Sequence, residues 1–232
     1  KSDRDKMFFL DFDGVMANSE IFINGKKIGE RPYGYISFRV DLTPYIRWGT
    51  ENVIAVRVNT EKLGSRWYPG AGIYRHVRLV KTNKLHIPEW GVFVSTPEIN
   101  NQYATASVMV QLANGNDKAV KSSYAIEIFK LDKANHPQER VAMAIKKNIS
   151  VAANTIDSSR VSLTVKNPQL WDLEHTNQYI AKVTVYNGRS LVDIYDVPFG
   201  FRTLQFTHDN GFLLNGKKVQ LKGVCMHHDL GA

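Results

Sequence analysis

Three consecutive polar residues near the end of the sequence could do chemistry together: His227, His228 and Asp229. Neutral imidazoles suit the recognition of hydroxyl groups, because one ring nitrogen donates a hydrogen bond while the other accepts one. A zinc site is the weaker interpretation, since a third suitably placed ligand is not visible. A loop held by its own hydrogen bonds is the structural alternative.

The segment before this cluster predicts a β-hairpin. Leu213 and Leu214 precede the pair Asn215-Gly216, which supplies the two positive-φ residues that a tight hairpin needs. We expect the second strand to be largely buried, because it carries the apolar residues Val219, Leu221 and Val224. Side chains that contact ligands concentrate at the C-terminal ends of strands in a parallel barrel. This strand would therefore begin such a barrel and carry the histidines at its end.

The loop RWYPGAGIYRHV (66–77) is the second candidate for function. Its aromatic residues are costly to leave in water, yet its proline and glycines keep them out of a regular strand. Arg66 and Trp67 could bind a sugar, since a guanidinium forms paired hydrogen bonds and an aromatic ring face covers a pyranose. The alternative, which the loop alone favours, is that these aromatics seal an interface between domains.

Composition narrows the class of protein. With 232 residues, of which 43% are hydrophobic, the chain can bury a sizeable core. The net charge of +8 is spread over single and paired basic residues, without the basic stripe and stacking aromatics of a nucleic-acid-binding protein. No apolar stretch is long enough to span a membrane. Cys225 is the single cysteine, so an internal disulfide is excluded.

Hydrophobic residues alternate with period two through most of the chain, which predicts half-buried strands. In the first part the pattern covers residues 8–12, 36–42 and 54–58, and Asn24-Gly25 predicts another tight hairpin. No long amphipathic helix is evident, only a turn at 43–47. Short strands joined by Gly, Pro and Asn turns indicate a β-sandwich.

Pro88 and Pro97 interrupt this pattern and predict a domain junction. A second series of strands follows at 108–112, 124–128, 161–165 and 179–185, which indicates an immunoglobulin-like sandwich without a cysteine pair. Packing alone must then hold its two sheets together. We predict three domains, at 1–84, 85–205 and 206–232.

Several motifs together resemble glycoside hydrolase family 2, the β-galactosidase and β-glucuronidase family. They stand in the family's order and cover nearly the whole chain: LDFDGVMANSEIFINGKKIG (10–29), GYISFRVDLTPYI (34–46), ENVIAVRVN (51–59), RWYPGAGIYRHVRLV (66–80), VKNPQLWDLEHTNQY (165–179), FGFR (199–202) and LLNGKKVQLKGVCMHHDLGA (213–232).

The resemblance implies an all-β chain: a sugar-binding jelly-roll sandwich that lacks its first strands, an immunoglobulin-like sandwich, and the first hairpin of a truncated TIM barrel. Family members hydrolyse terminal β-glycosides with retention, using one glutamate as acid/base and another as nucleophile. Both glutamates would lie beyond Ala232, so this chain is expected to contain no catalytic residue and to be inactive alone.

The resemblance also implies the substrate-binding residues. His227 matches a family histidine at the end of the first barrel strand that contacts the glycone, and His228 and Asp229 follow it in several β-galactosidase-like members.

Two residues depart from the family pattern. Arg66 stands where well-known members have an aspartate that reaches the active site, and Cys225 stands where many have Asn. A cation at position 66 would recognise other groups of the glycone than an anion would. The identity of the sugar therefore stays open.

The sequence thus predicts part of a retaining exo-β-glycosidase, β-galactosidase-like, that acts on an oligosaccharide or polysaccharide. The alternatives are a non-catalytic carbohydrate-binding protein and a structural immunoglobulin-like protein. No cofactor is predicted, and a divalent metal in the whole enzyme is left open, as is a homo-oligomer. Nucleic acid and membrane spans are not expected. The location is undetermined, although a periplasmic or secreted one fits the family.

Overall fold

The computed structural model describes residues 3–60, 70–100 and 102–225. Contacts divide the chain into two units, one formed mainly by the residues up to Asn83 and the other by Lys84–Gly223. Regular structure in the described ranges is β apart from one 3-10 turn, Thr43–Tyr45. No described helix is long and apolar enough to cross a membrane. The all-β prediction is confirmed.

The described residues of the first unit form eight strands: β1 Lys6–Phe12, β2 Val15–Met16, β3 Ser19–Ile23, β4 Lys26–Arg31, β5 Phe38–Asp41, β6 Ile54–Arg57, β7 Gly72–Ile73 and β8 Val77–Asn83. These strands pair in three small antiparallel sheets with the orders β5-β1-β8, β4-β3-β6 and β2-β7.

Alternation along these strands builds the core of the first unit. In β1, Leu10 and Phe12 are buried while Asp11 lies on the opposite face. The tight turn between β3 and β4 is at Asn24-Gly25, both with positive φ, as predicted. Ile36 was expected in a strand but is exposed before β5, since it has no ladder partner among the described strands. The core comprises Leu10, Phe12, Val15, Ile21, Ile23, Val40 and Leu42.

The second unit is a sandwich of two antiparallel sheets followed by a small third sheet. Its strands are β9 Leu85–His86, β10 Val92–Ile99, β11 Tyr103–Asn114, β12 Val120–Leu131, β13 Pro137–Val151, β14 Thr155–Lys166, β15 Tyr179–Asn187, β16 Ser190–Phe199, β17 Leu204–Thr207, β18 Gly211–Leu214 and β19 Lys217–Lys218. One sheet has the order β10-β11-β14 with β9 beside β11, the other has the order β13-β12-β15-β16, and the third has the order β17-β18-β19.

Aromatic and branched side chains from both sheets fill this immunoglobulin-like sandwich. The two buried tyrosines each satisfy their hydroxyl group: Tyr124 bonds Ser159 at 2.7 Å, and Tyr179 accepts a bond from the backbone nitrogen of Gln169 at 2.9 Å. Burial raises the pKa of both phenols, so they stay neutral. Since Cys225 is exposed and no other cysteine exists, packing holds the sheets together, as predicted.

Asn215 joins the terminal hairpin to the rest of the second unit. Its side-chain oxygen accepts a bond from the backbone nitrogen of Thr203 at 2.9 Å, and its side-chain nitrogen donates to the carbonyl of Trp171 at 3.0 Å. Asn215 and Gly216 both have positive φ, which confirms the predicted turn.

The prediction that the second strand of this hairpin is largely buried is wrong for the described residues. β19 ends at Lys218, and the side chains of Leu221 and Val224 are 70% and 87% exposed. An apolar strand becomes buried only when neighbouring strands pair with it and a layer covers it. The described residues provide neither beyond Lys218.

Removing the Asn215 side chain should loosen the hairpin. Asn215→Gly keeps the positive φ and loses both side-chain bonds, so the free energy of unfolding should fall by about 1–3 kcal/mol. Asn215→Ala should lose roughly a further 1 kcal/mol, since a Cβ disfavours this backbone conformation. Urea unfolding of both variants checks this, and wild-type stability of Asn215→Gly would show that the side chain does not anchor the hairpin.

Candidate functional site

The five predicted site residues lie outside the described ranges. Arg66 and Trp67 belong to 61–69, and His227, His228 and Asp229 belong to 226–232. The structure does describe the residues on either side of 61–69. The candidate site is therefore described through the residues that hold the two ends of this segment.

The residues on either side of 60–71, the part of the loop region that contains Arg66 and Trp67, attach to one short segment, residues 14–18. Before the loop, the backbone nitrogen of Asn59 donates to the carbonyl of Ala17 at 3.0 Å, and the side chain of Asn18 donates to the carbonyl of Asn59 at 3.0 Å. After the loop, β7 pairs with β2, with Gly72 opposite Met16. The intervening residues therefore start and finish on the same support.

Tyr74 locks the second end of the loop in place. Its hydroxyl donates to the carbonyl of Gly34 at 2.8 Å, and its ring lies directly against Gly14. A Cβ on Gly14 would lie 2.6 Å from Cζ of Tyr74, and a Cβ on Gly34 would lie 2.5 Å from the sulfur of Met16. Both positions need glycine for this close approach.

Tyr74 also belongs to an exposed group of tyrosines. Tyr33, Tyr35 and Tyr74 are 58%, 47% and 45% exposed, and the rings of Tyr33 and Tyr35 meet edge to face with centroids 5.5 Å apart. The Arg75 guanidinium lies 5.5 Å from the centre of the Tyr74 ring. Exposed ring faces can cover the apolar face of a sugar. The residue pattern points to the aromatic loop but not to Tyr33 and Tyr35, which stand in the glycine-containing stretch before β5.

Carboxylates near this framework are held by cations. Two nitrogens of Arg39 bind Asp11 at 2.6 and 2.7 Å across the β1–β5 ladder. Arg78 binds both oxygens of Asp13, at 2.7 and 2.8 Å, with His76 at 3.7 Å. The hydrogen bond from Arg78 is the main cause that lowers the pKa of Asp13. Each of these two carboxylates is therefore occupied by an arginine.

Asp193 is the one described carboxylate whose pKa is resolved as raised. Burial is the main cause, opposed by hydrogen bonds from the backbone nitrogens of Ile87, at 2.7 Å, and Ile194, at 2.9 Å. A raised pKa is typical of a catalytic acid, but both oxygens of this carboxylate accept backbone bonds, and the bond from Ile87 ties the residue after β9 to β16. No group of three or more potential metal ligands occurs in the described ranges.

The close contact of Gly14 with Tyr74 predicts a non-additive pair of substitutions. Gly14→Ala should lower the free energy of unfolding by about 1–3 kcal/mol, because the added methyl overlaps the ring. In a Tyr74→Ala background the same change should have a much smaller effect, since the ring is gone. A double-mutant cycle by thermal unfolding measures the coupling, with Tyr33→Ala in place of Tyr74→Ala as control. Additive effects would contradict the contact.

The pair of Asp13 and Arg78 predicts a pH dependence. Because the pKa of Asp13 is lowered on folding, the pair stabilises the fold above the unfolded value of about 3.9 and is lost as the pH falls through the folded value. In Arg78→Ala the pKa of Asp13 should rise toward its ordinary value. Carboxyl-carbon NMR titration of both proteins measures it, and identical titration curves would exclude this cause.

Comparison with known proteins supports the assignment of the two units. Residues 2–83 match the family model described as glycosyl hydrolases family 2, sugar binding domain, and residues 86–202 match that of glycosyl hydrolases family 2. The chain is 40% identical over its whole length to a β-galactosidase of Bacteroides ovatus, of which it spans 27%.

Solved structures agree with this similarity. A family 2 member from Bacteroides cellulosilyticus superposes with a TM-score of 0.89 at 36% identity, over 98% of this chain and 30% of that one. The β-glucuronidase of Bacteroides uniformis superposes with a TM-score of 0.84 at 27% identity, over 99% of this chain and 28% of that one. The chain thus spans less than a third of each of these relatives. Its two sandwiches, their order and their similarity along the whole chain show that it belongs to glycosyl hydrolase family 2.

Proposed function

We propose that this chain provides the sugar-binding and immunoglobulin-like part of a retaining exo-β-glycosidase of the β-galactosidase type. The observation that carries the proposal is the 40% identity, over the full 232 residues, to a protein named as a β-galactosidase. The proposed substrate is an oligosaccharide or polysaccharide with a terminal β-linked sugar. The domain boundaries at 84/85 and 205/206, and the start of a catalytic barrel within 206–232, are part of the same proposal.

The two catalytic glutamates are proposed to lie outside this chain. A retaining mechanism needs two carboxyl groups about 5–5.5 Å apart, one of them with a raised pKa. Each described carboxylate with a shifted pKa is already bound, either by a cation or by backbone nitrogens: Asp13, Glu20, Asp132, Asp172 and Asp193. This occupancy supports a non-catalytic role for the described part of the chain.

The role proposed for the loop of the first unit is glycone contact through Arg66 and Trp67. Support comes from the framework: a binding side chain needs a fixed backbone, and the loop's two ends are held by Ala17 and Met16. The role proposed for His227, His228 and Asp229 is hydrogen bonding to the same sugar. Arg66 would bind a carboxylate more strongly than a hydroxyl, so a uronide must be compared with a galactoside.

Carbohydrate binding without catalysis is the second candidate function. The observation in its favour is the exposed group of Tyr33, Tyr35 and Tyr74, since exposed rings are suited to stacking on sugars. Binding of galactose by the chain alone, lost in Tyr33→Ala, would favour this candidate, whereas hydrolysis by the product of the whole gene would favour the first.

The 232-residue chain should not hydrolyse nitrophenyl β-galactoside or nitrophenyl β-glucuronide. Neither histidine nor arginine replaces the paired nucleophile and acid of the retaining mechanism. Release of nitrophenol by purified chain is the measurement. Turnover that a substitution within residues 1–232 abolishes would overturn the placement of the catalytic glutamates.

Arg66→Ala and His227→Ala, made in the whole gene product, should each lower kcat/KM by roughly 1–3 kcal/mol of transition-state binding. Thermal stability should remain nearly unchanged. Arg47→Ala is the matched control, because it removes an exposed arginine of the same unit. Galactoside, glucuronide and mannoside substrates should be compared. Wild-type kinetics of Arg66→Ala on each hydrolysed substrate would remove that residue from the site.

A further inference from the structure

A shallow cationic depression lies at one end of the immunoglobulin-like sandwich. Its volume is about 640 Å³, and it is open to solvent. Strands β12 and β13 and the β15–β16 turn contribute its lining: Ala119, Val120, Lys121, Ser122, Ser123, Lys147, Asn148, Asn187 and Gly188. Two of these nine residues are cationic, and none is acidic.

Irregular backbone creates this depression. In the β12–β13 ladder, Ser122 pairs with Ile149 and Tyr124 with Lys146, so Lys147 and Asn148 bulge opposite Ser123. Asn148 has a φ of 58° and Gly188, in the neighbouring turn, has a φ of 59°. Bulges redirect side chains away from the ladder and often occur at functional sites. Here the bulge places Lys147 and Asn148 at the mouth of the depression.

The lysines of the depression have no carboxylate partner within the described part of the chain. Lys27, by contrast, binds Glu20 at 2.5 Å and Glu30 at 2.7 Å. Lys121 and Lys147 form no ion pair among the described residues. A depression whose lining includes two lysines and two asparagines, and no acidic residue, favours an anion.

We infer that this depression binds an anionic saccharide through its carboxylate or sulfate group. Lys121 and Lys147 supply charge, and the side-chain amides of Asn148 and Asn187 donate to anion and hydroxyl oxygens. The saccharide class rests on the proposed function, whereas the preference for an anion rests on the depression itself. The site belongs to the second unit and would retain an acidic glycan independently of hydrolysis.

NMR titration of the 232-residue chain with galacturonic acid, galactose 6-sulfate, galactose and inorganic sulfate tests this inference. Saturable shifts of the amides of Lys121, Lys147, Asn148 and Asn187 are expected with one or both sugar acids and not with galactose. Binding of only one acid identifies the anion as carboxylate or sulfate. Equal binding of galactose, or of inorganic sulfate as tightly as both acids, would overturn the inference.

Charge reversal provides the matched variants. Lys121→Glu combined with Lys147→Glu should weaken binding of the sugar acid by about tenfold or more, because its charge-assisted bonds are lost. Lys146→Glu makes one such charge reversal, half that of the double variant, next to the site and should weaken binding by less than about twofold in physiological salt. If each reversed charge lowered the affinity for the sugar acid equally in both variants, the effect would come from general surface charge. That result would overturn the inference. The assay measures binding alone. Its result therefore does not depend on whether the product of the whole gene hydrolyses a glycoside.

Discussion

The attachment of both ends of the aromatic loop to residues 14–18 is the constraint on which the proposed function depends. A long irregular loop has many backbone conformations, and fixing its ends removes much of that freedom. Asn59 and Gly72 meet neighbouring residues of one segment, and Tyr74 adds a hydrogen bond to Gly34. A loop on this support starts and ends at defined positions, which the proposed contact with a sugar requires.

The second unit reaches a defined fold by another route, through close packing and satisfied polar groups. Tyr124 and Tyr179 supply large buried rings, and each hydroxyl has a partner. Leaving either hydroxyl unpaired in the core would cost about 1–3 kcal/mol. The carboxylate of Asp193 connects β9 to β16 in the same manner, by accepting backbone hydrogen bonds. A cysteine pair is therefore unnecessary in this sandwich.

Local patterns in the sequence predicted the strands and turns well. The alternation through Ile126 and Val183 defines the core because the period of a strand dictates which face is buried, and Asn-Gly pairs define tight turns. Burial of Leu221 and Val224 was predicted wrongly because it depends on partner strands, which a local pattern does not specify. The tyrosine group also escaped prediction, since a hydrogen bond between residues 34 and 74 brings its members together.

The most direct test of the central claim is a crystal structure of the whole gene product with a 2-fluoro glycoside trapped as the glycosyl-enzyme intermediate. We expect the side chain of Arg66 or Trp67, from the loop held by residues 14–18, to contact the same trapped sugar as His227. A trapped sugar that neither the loop nor His227 touches would contradict the account. The loop would then serve only to join domains.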